Sequence, residues 1–167
     1  MTRRTRKSIP SDIVHVTVRG LGRRIIFEDD TDKRKFLDVF KSKLDGADIT
    51  VYAWCLMDNH AHLLLRAQND ALSKAMQRTL VSYAQYFNGR HGHVGKVFQN
   101  RFSAQAVESE VHFLAAIRYI HRNAHEAGAS NLCDYAWSSY RQLARANKPY
   151  EGSGIVDRPA VLDFFLA

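Results

Sequence analysis

The chain has 167 residues, 46% apolar and 25% charged, the balance of a single globular domain able to bury a sizeable core. It contains no run of about eighteen apolar residues, which excludes a membrane-spanning helix, and its two cysteines are too few for a disulfide framework. Lys and Arg outnumber Asp and Glu by 24 to 17, and a net charge of +7 favours a polyanionic partner, nucleic acid before membrane.

Residues 1–10 form a basic tail with no apolar segment behind it, so no secretory signal is expected. With Cys55 set in an apolar strand, a reducing cytoplasm is the expected location. From Ile13 to Arg19 the residues alternate: Val14, Val16 and Val18 share one face, and Ile13, His15, Thr17 and Arg19 the other, which predicts a half-buried strand. Gly20-Leu21-Gly22-Arg23-Arg24 reads as a flexible, basic loop. Acidic residues from Asp29 to Asp32 suit the positive end of a helix whose stripe is Phe36, Leu37, Phe40 and Leu44, with Gly46 ending it. A strand from Asp48 to Leu56, a turn at Met57-Asp58-Asn59 and a strand from His60 predict an antiparallel hairpin. Asn69 and Asp70 are candidate caps for a second helix running to about Phe87. Asn88 to Lys96 is glycine-rich and basic, either a nucleic-acid contact or a plain solvated connection. Its His91-x-His93 has metal-ligand spacing, but in a segment of unset geometry. A fourth strand from Arg101 to Val107 leads to a third long helix that ends near Ala127, with Gly128 its candidate C-cap. A short helix after Tyr135–Tyr140 and a last one from Asp157-Arg158-Pro159 complete the chain.

This order predicts an α+β fold. Its core is a ferredoxin-like split β-α-β, an antiparallel sheet with helices on one face and an extra C-terminal helical segment. The other face would stay open, and His15, His60 and His62 fall on it. Residues two apart on a strand share a face, so His60 and His62 point together while Ala61, Leu63 and Leu65 point into the core. Two neutral imidazoles a strand-step apart can close on one divalent ion, although two ligands do not complete a site and a pair of surface histidines is the alternative. On the third helix Phe113, Leu114, Ile117, Ile120 and Ala124 make the apolar stripe. Tyr119 lies about 200° round from Ile117, with His112, Arg122, Asn123 and Glu126. The Asn123 amide, four residues on, projects beside the Tyr119 hydroxyl, and its oxygen is a hard donor suited to Mg²⁺ or Mn²⁺. Spacing alone equally allows a surface Tyr–Asn pair.

Four segments in this order carry a resemblance: Met57-Asp58-Asn59-His60-Ala61-His62-Leu63-Leu64-Leu65, Phe98-Gln99-Asn100-Arg101-Phe102, Arg118-Tyr119-Ile120-His121-Arg122-Asn123 and Trp137-Ser138-Ser139-Tyr140. The chain resembles the IS200-like (Y1) transposases, a family of HUH single-strand DNA endonucleases, and within it the REP-associated tyrosine transposases. The resemblance covers residues 11–145 and leaves 146–167 as a C-terminal extension. It implies a metal-dependent strand transferase acting on hairpin-bearing single-stranded DNA through a covalent 5′-phosphotyrosine. Tyr119 would be the nucleophile; His60, His62 and Asn123 would hold Mg²⁺ or Mn²⁺, with His15 a candidate partner behind them. Arg23, Arg24, Arg78, Arg90, Lys96 and Arg101 are the candidate DNA-backbone contacts. The sequence departs from the family where relatives read Asn-Pro: here it is Asn123-Ala124, and without proline the helix is expected to run straighter. Two other functions stay open, a non-catalytic hairpin-binding module derived from a transposase and a metal-dependent hydrolase using water. Monomer and homodimer also both stay open.

Overall fold

A computed structural model describes residues 12–144 and 154–166. The expected tail at 1–10 and the first part of the extension, to residue 153, lie outside the described residues. Strand β1 is Ile13–Arg19, helix α1 Asp30–Leu44, β2 Ile49–Met57, β3 His60–Ala67, α2 Asn69–His91 and β4 Ser103–Ala106. The four strands form one antiparallel sheet in the order β2-β3-β1-β4. Each of the two β-α-β units thus leaves a gap between its first and last strands that a strand of the other unit fills, the split arrangement expected.

Local chemistry explains most boundaries. Asp29 caps α1, its carboxylate accepting the Asp32 N–H at 3.0 Å. Helix α2 begins after Gln68 with no side-chain cap, so Asn69 and Asp70 sit inside its first turn instead of capping it. It also runs one turn beyond Phe87, to His91, and stops where Gly92 takes a left-handed conformation (φ 61°). What stabilises that extra turn is a buried acid. Asp32, on α1, accepts from the Glu28 N–H, the Tyr86 hydroxyl and Arg90, and hydrogen-bonds His91.

Register puts Val14, Val16 and Val18 opposite Leu65, Leu63 and Ala61, all of them at most 1% exposed. This is the core face, and it shares one apolar cluster with Phe36, Leu37 and Phe40 of α1 and Leu72, Met76 and Tyr83 of α2. The opposite face carries His15, Thr17 and Arg19 beside Leu64, His62 and His60. It stays open only over β1 and β4. Over β2 it is crossed by α3, Glu110–Glu126, whose Phe113 meets Tyr52 edge-on at 5.0 Å. Helices therefore lie on both faces, because the third helix has an apolar stripe of its own to bury.

Two further segments fix α3. Residues Trp137–Ser139 run along the outer edge of β2, where the Leu56 N–H donates to the Trp137 carbonyl (2.8 Å) and the Ser139 N–H to the Trp54 carbonyl (2.9 Å). After the short helix α4, Tyr140–Ala144, the terminal helix α5, Arg158–Leu166, returns to the same core. There Phe164 stacks on Phe113 at 4.0 Å, and the Asp157 N–H bonds the Val51 carbonyl.

Candidate active site

The site is assembled from β3, β1 and α3. His60 and His62 leave the same face of β3, with ring centroids 5.0 Å apart. The Tyr119 ring stands edge-on to His62 at 5.4 Å and to His15 at 5.8 Å. Tyr119 is 52% exposed, so its hydroxyl is open to a substrate, whereas Asn123 one turn on is buried at 2%. The same helix face thus supplies an accessible phenol and a fixed amide.

Hydrogen bonds decide which atoms are free. His62 Nδ1 is engaged by His15 Nε2 at 2.9 Å and Thr17 Oγ1 at 3.3 Å, and His60 Nδ1 by Asn59 Oδ1 at 2.6 Å. Both Nε2 atoms are left for another partner. Asn123 Nδ2 donates to the Tyr119 carbonyl at 2.9 Å and toward that of Ile120, and its amide is within hydrogen-bonding reach of His60. With the nitrogen committed to backbone, the oxygen is the atom left to reach His60. Burial pushes the His62 pKa down to about 3, and the charges of His15, His60 and Arg19 push the same way. His60 is lowered too, by burial and then by Arg19, and burial followed by His112 lowers His15. All three imidazoles are therefore neutral at pH 7, the form that binds a metal.

Two imidazole nitrogens and one amide oxygen fit a divalent cation that takes its remaining ligands from water and phosphate. Among the described residues no group of three His, Cys, Asp or Glu converges, so Asn123 is the third donor available. With Nδ1–H of His60 donating to Asn59 Oδ1 and Nδ1–H of His62 donating to His15 Nε2, both Nε2 lone pairs would be presented to a metal, the usual role of groups behind metal-bound histidines.

The other anticipated residues separate into two sets. Arg23 and Arg24 are exposed on a turn at the His60 end of the sheet, held by the Gly20 N–H on the Asn59 carbonyl and Asn59 Nδ2 on the Arg23 carbonyl. That turn needs a glycine at Gly20, because an added Cβ would stand 2.1 Å from the Arg24 carbonyl oxygen. Lys96 is exposed next to Val97, whose carbonyl accepts the Leu21 N–H, and exposed Arg101 lies between two residues of the site's groove. Arg78, in contrast, borders a separate hollow with Lys43, Asp45 and Lys74 that shares no residue with the site. Arg90 is already paired, with Asp29 at 2.6 Å and Asp32 at 2.5 Å. His91 bonds Asp32 and His93 bonds Asn88, so the second His-x-His is tied into the α2 terminus.

Several groups in the site were not among its expected functional residues, although His112 was read on the Tyr119 face and Gln99 and Asn100 lie in a segment that carries the resemblance. Arg19 pairs across the sheet with His60, and Gln99, Asn100, Ser103, Gln105 and His112 line a groove of about 630 Å³ beside Tyr119. Arg19 was within reach, since the alternation of β1 already puts it on the His15 face. Gln105 lay on the strand expected from Arg101 to Val107, which is shorter in the structure (Ser103–Ala106), and nothing local to it showed that this strand pairs with β1 beside the histidines.

Comparison with known proteins bears on this geometry in three ways. The family model described as "Transposase IS200 like" matches residues 9–123. No curated protein matches the chain significantly. Among solved structures, a REP-associated tyrosine transposase bound to a REP hairpin is similar over 92% of each chain, with a TM-score of 0.66 and 18% identity. At that identity the similarity establishes the fold.

Proposed function

The chain belongs to the IS200-like transposase family, and on that premise we propose that it is a metal-dependent single-strand DNA nicking and joining enzyme that works through a covalent tyrosine. The observation that carries this reading is one cluster. An exposed phenol stands edge-on to the buried His62 imidazole, and the half-buried His60 ring lies 5.0 Å from His62. Each ring has its Nδ1 engaged by a neighbouring side chain, and the Asn123 amide of the phenol's own helix reaches His60.

His60, His62 and Asn123 would hold Mg²⁺ or Mn²⁺. Once bound, the ion would polarise the scissile phosphate and offset the charge that develops in the transition state. Tyr119 attacks the phosphorus: a Tyr119 Oη–P bond forms, the P–O3′ bond breaks, and the phenolic proton is balanced by the one the departing 3′ oxygen takes up. One DNA end is left as a 3′-hydroxyl, and the other is linked to the enzyme through its 5′ phosphate. Attack by a 3′-hydroxyl reverses the step, since a phenolate is a competent leaving group. His15 and Thr17 hold the His62 ring, Asn59 holds His60, and the exposed Arg19, Arg23, Arg24, Lys96 and Arg101 supply positive charge along the approach. The solved relative carries a DNA hairpin, which supports hairpin-bearing single strands as the substrate class.

Replacing the nucleophile tests this. Tyr119→Phe is expected to lower single-turnover cleavage of hairpin DNA in Mn²⁺ by at least a thousandfold while binding stays within about twofold. Cleavage that survives in the variant would assign the attack to water and overturn the proposal.

A further inference from the structure

The groove beside Tyr119 has a lining that phosphate chemistry does not require. Its floor is the edge of the sheet, where Gln105 pairs opposite His15 and Ser103 opposite Thr17. Its far wall is α3, cut back to methyl groups at Ala115 and Ala116, which leaves a smooth surface for a flat group. The groove is continuous with the candidate active site: one open hollow of about 630 Å³ is lined by His62 and Tyr119 as well as by Ser103 and Gln105. Gln105, Ser103 and Asn100 are exposed, and among the described residues no hydrogen bond engages their side chains. The lining therefore presents amide and hydroxyl groups that can donate and accept, with no partner of their own.

Positive charge flanks the site on both sides. On the Asn59 side Asp58 is paired with Lys33 at 2.9 Å, Glu126 lines the same hollow, and the exposed Arg23 and Arg24 stand on the adjoining turn. On the groove side stand Arg19 and, beside Asn100, Arg101. A single strand whose phosphate lies at Tyr119 therefore meets positive charge where it passes the groove, and an unpaired base has a free Watson–Crick edge to present there.

We infer that this groove is a nucleobase pocket: it takes one unpaired base flanking the scissile phosphate, and Gln105 reads that base's edge. The inference rests on the proposed strand-cleaving function and adds to it a protein-borne preference for the sequence at the nick. An amide that donates and accepts together distinguishes bases by about tenfold or more when both hydrogen bonds form.

The test uses the full chain, Mn²⁺ and hairpin DNA with a randomised single-stranded flank, sequencing the nicked products. Thermal unfolding confirms that the exposed-site variants Gln105→Ala and Ala115→Leu fold. The parent is expected to favour one base next to the nick, and Gln105→Ala to cut that preference about tenfold. Ala115→Leu, which fills the groove, is expected to slow cleavage of the favoured sequence more than of the same DNA with an abasic site there. Nicking by the parent with a flanking-base preference unchanged in both variants overturns this inference alone. A parent that makes no nick overturns the proposed function and the inference together.

Discussion

Burial gives the histidines near the nucleophile their chemistry. His121, two residues past Tyr119, is 3% exposed, with Nε2 bonded to Ser139 Oγ at 2.9 Å and its ring edge-on to Tyr140. Burial holds its pKa at about 4, below the 6.5 of an ordinary histidine, so the folded state binds fewer protons than the unfolded one. Its contribution is complete above about pH 6.5 and is lost as pH falls through 4. At the acid end that amounts to roughly 3 kcal/mol. Urea unfolding at pH 7 and pH 4.5 should show a smaller loss of stability in His121→Gln than in the parent; equal losses would remove His121 from the acid response. At this scale the sequence shows which residues carry chemistry but not which are already engaged. Spacing pairs His60 with His62 and Tyr119 with Asn123, whereas the meeting of the two pairs, which lie near one another in the fold, follows only from the family resemblance. Nothing local to Arg90 shows that Asp29 and Asp32, some sixty residues earlier, hold it.

Elements set where the tyrosine stands. Helix α3 is continuous through Asn123-Ala124, where there is no proline to remove a backbone donor. Its rotation over the sheet is fixed on the side away from Tyr119 by Ser139, whose hydroxyl accepts the Trp54 N–H at 2.9 Å and bonds His121. Ser139→Ala leaves a buried N–H unpaired, which costs about 1–3 kcal/mol. It should also slow tyrosine–DNA adduct formation at saturating DNA, because the helix loses its tie to β2. Denaturation and single-turnover kinetics measure the two separately, and an unchanged adduct rate in the folded variant would show that the tie does not position the tyrosine. Element type and order follow from periodicity at every long segment. Helix ends are harder to read: α2 outlasts its apolar stripe because Asp32 anchors its last turn, a contact between distant parts of the chain. The side on which α3 packs was likewise hidden, since its stripe shows that a face is buried but not against which sheet surface.

The whole molecule contributes charge and one continuous core. The sequence order leads directly to the split β-α-β sheet, whereas the return of α5 onto Phe113 and Tyr52 depends on Phe164 finding an aromatic partner about fifty residues upstream. The net charge of +7 matters through its distribution: Arg19, Arg23, Arg24, Lys96 and Arg101 gather at the site, whereas Arg78 and Arg90 do not. If those five meet phosphates of a single strand, log affinity should fall against log salt with a slope of about −3 to −4. Arg23→Ala should make the slope shallower by about 0.7, and Arg78→Ala should leave it unchanged; equal effects would deny that the clustered arginines define the binding surface. The most direct test of the account is the covalent link itself. Protein incubated with Mn²⁺ and hairpin DNA labelled on the 3′ side of the nick is denatured, digested and mapped by mass spectrometry. The account predicts a label joined through a 5′ phosphate to the peptide containing Tyr119, absent with chelator and absent in Tyr119→Phe. Label on another residue, or cleavage with no protein-linked label, would contradict it.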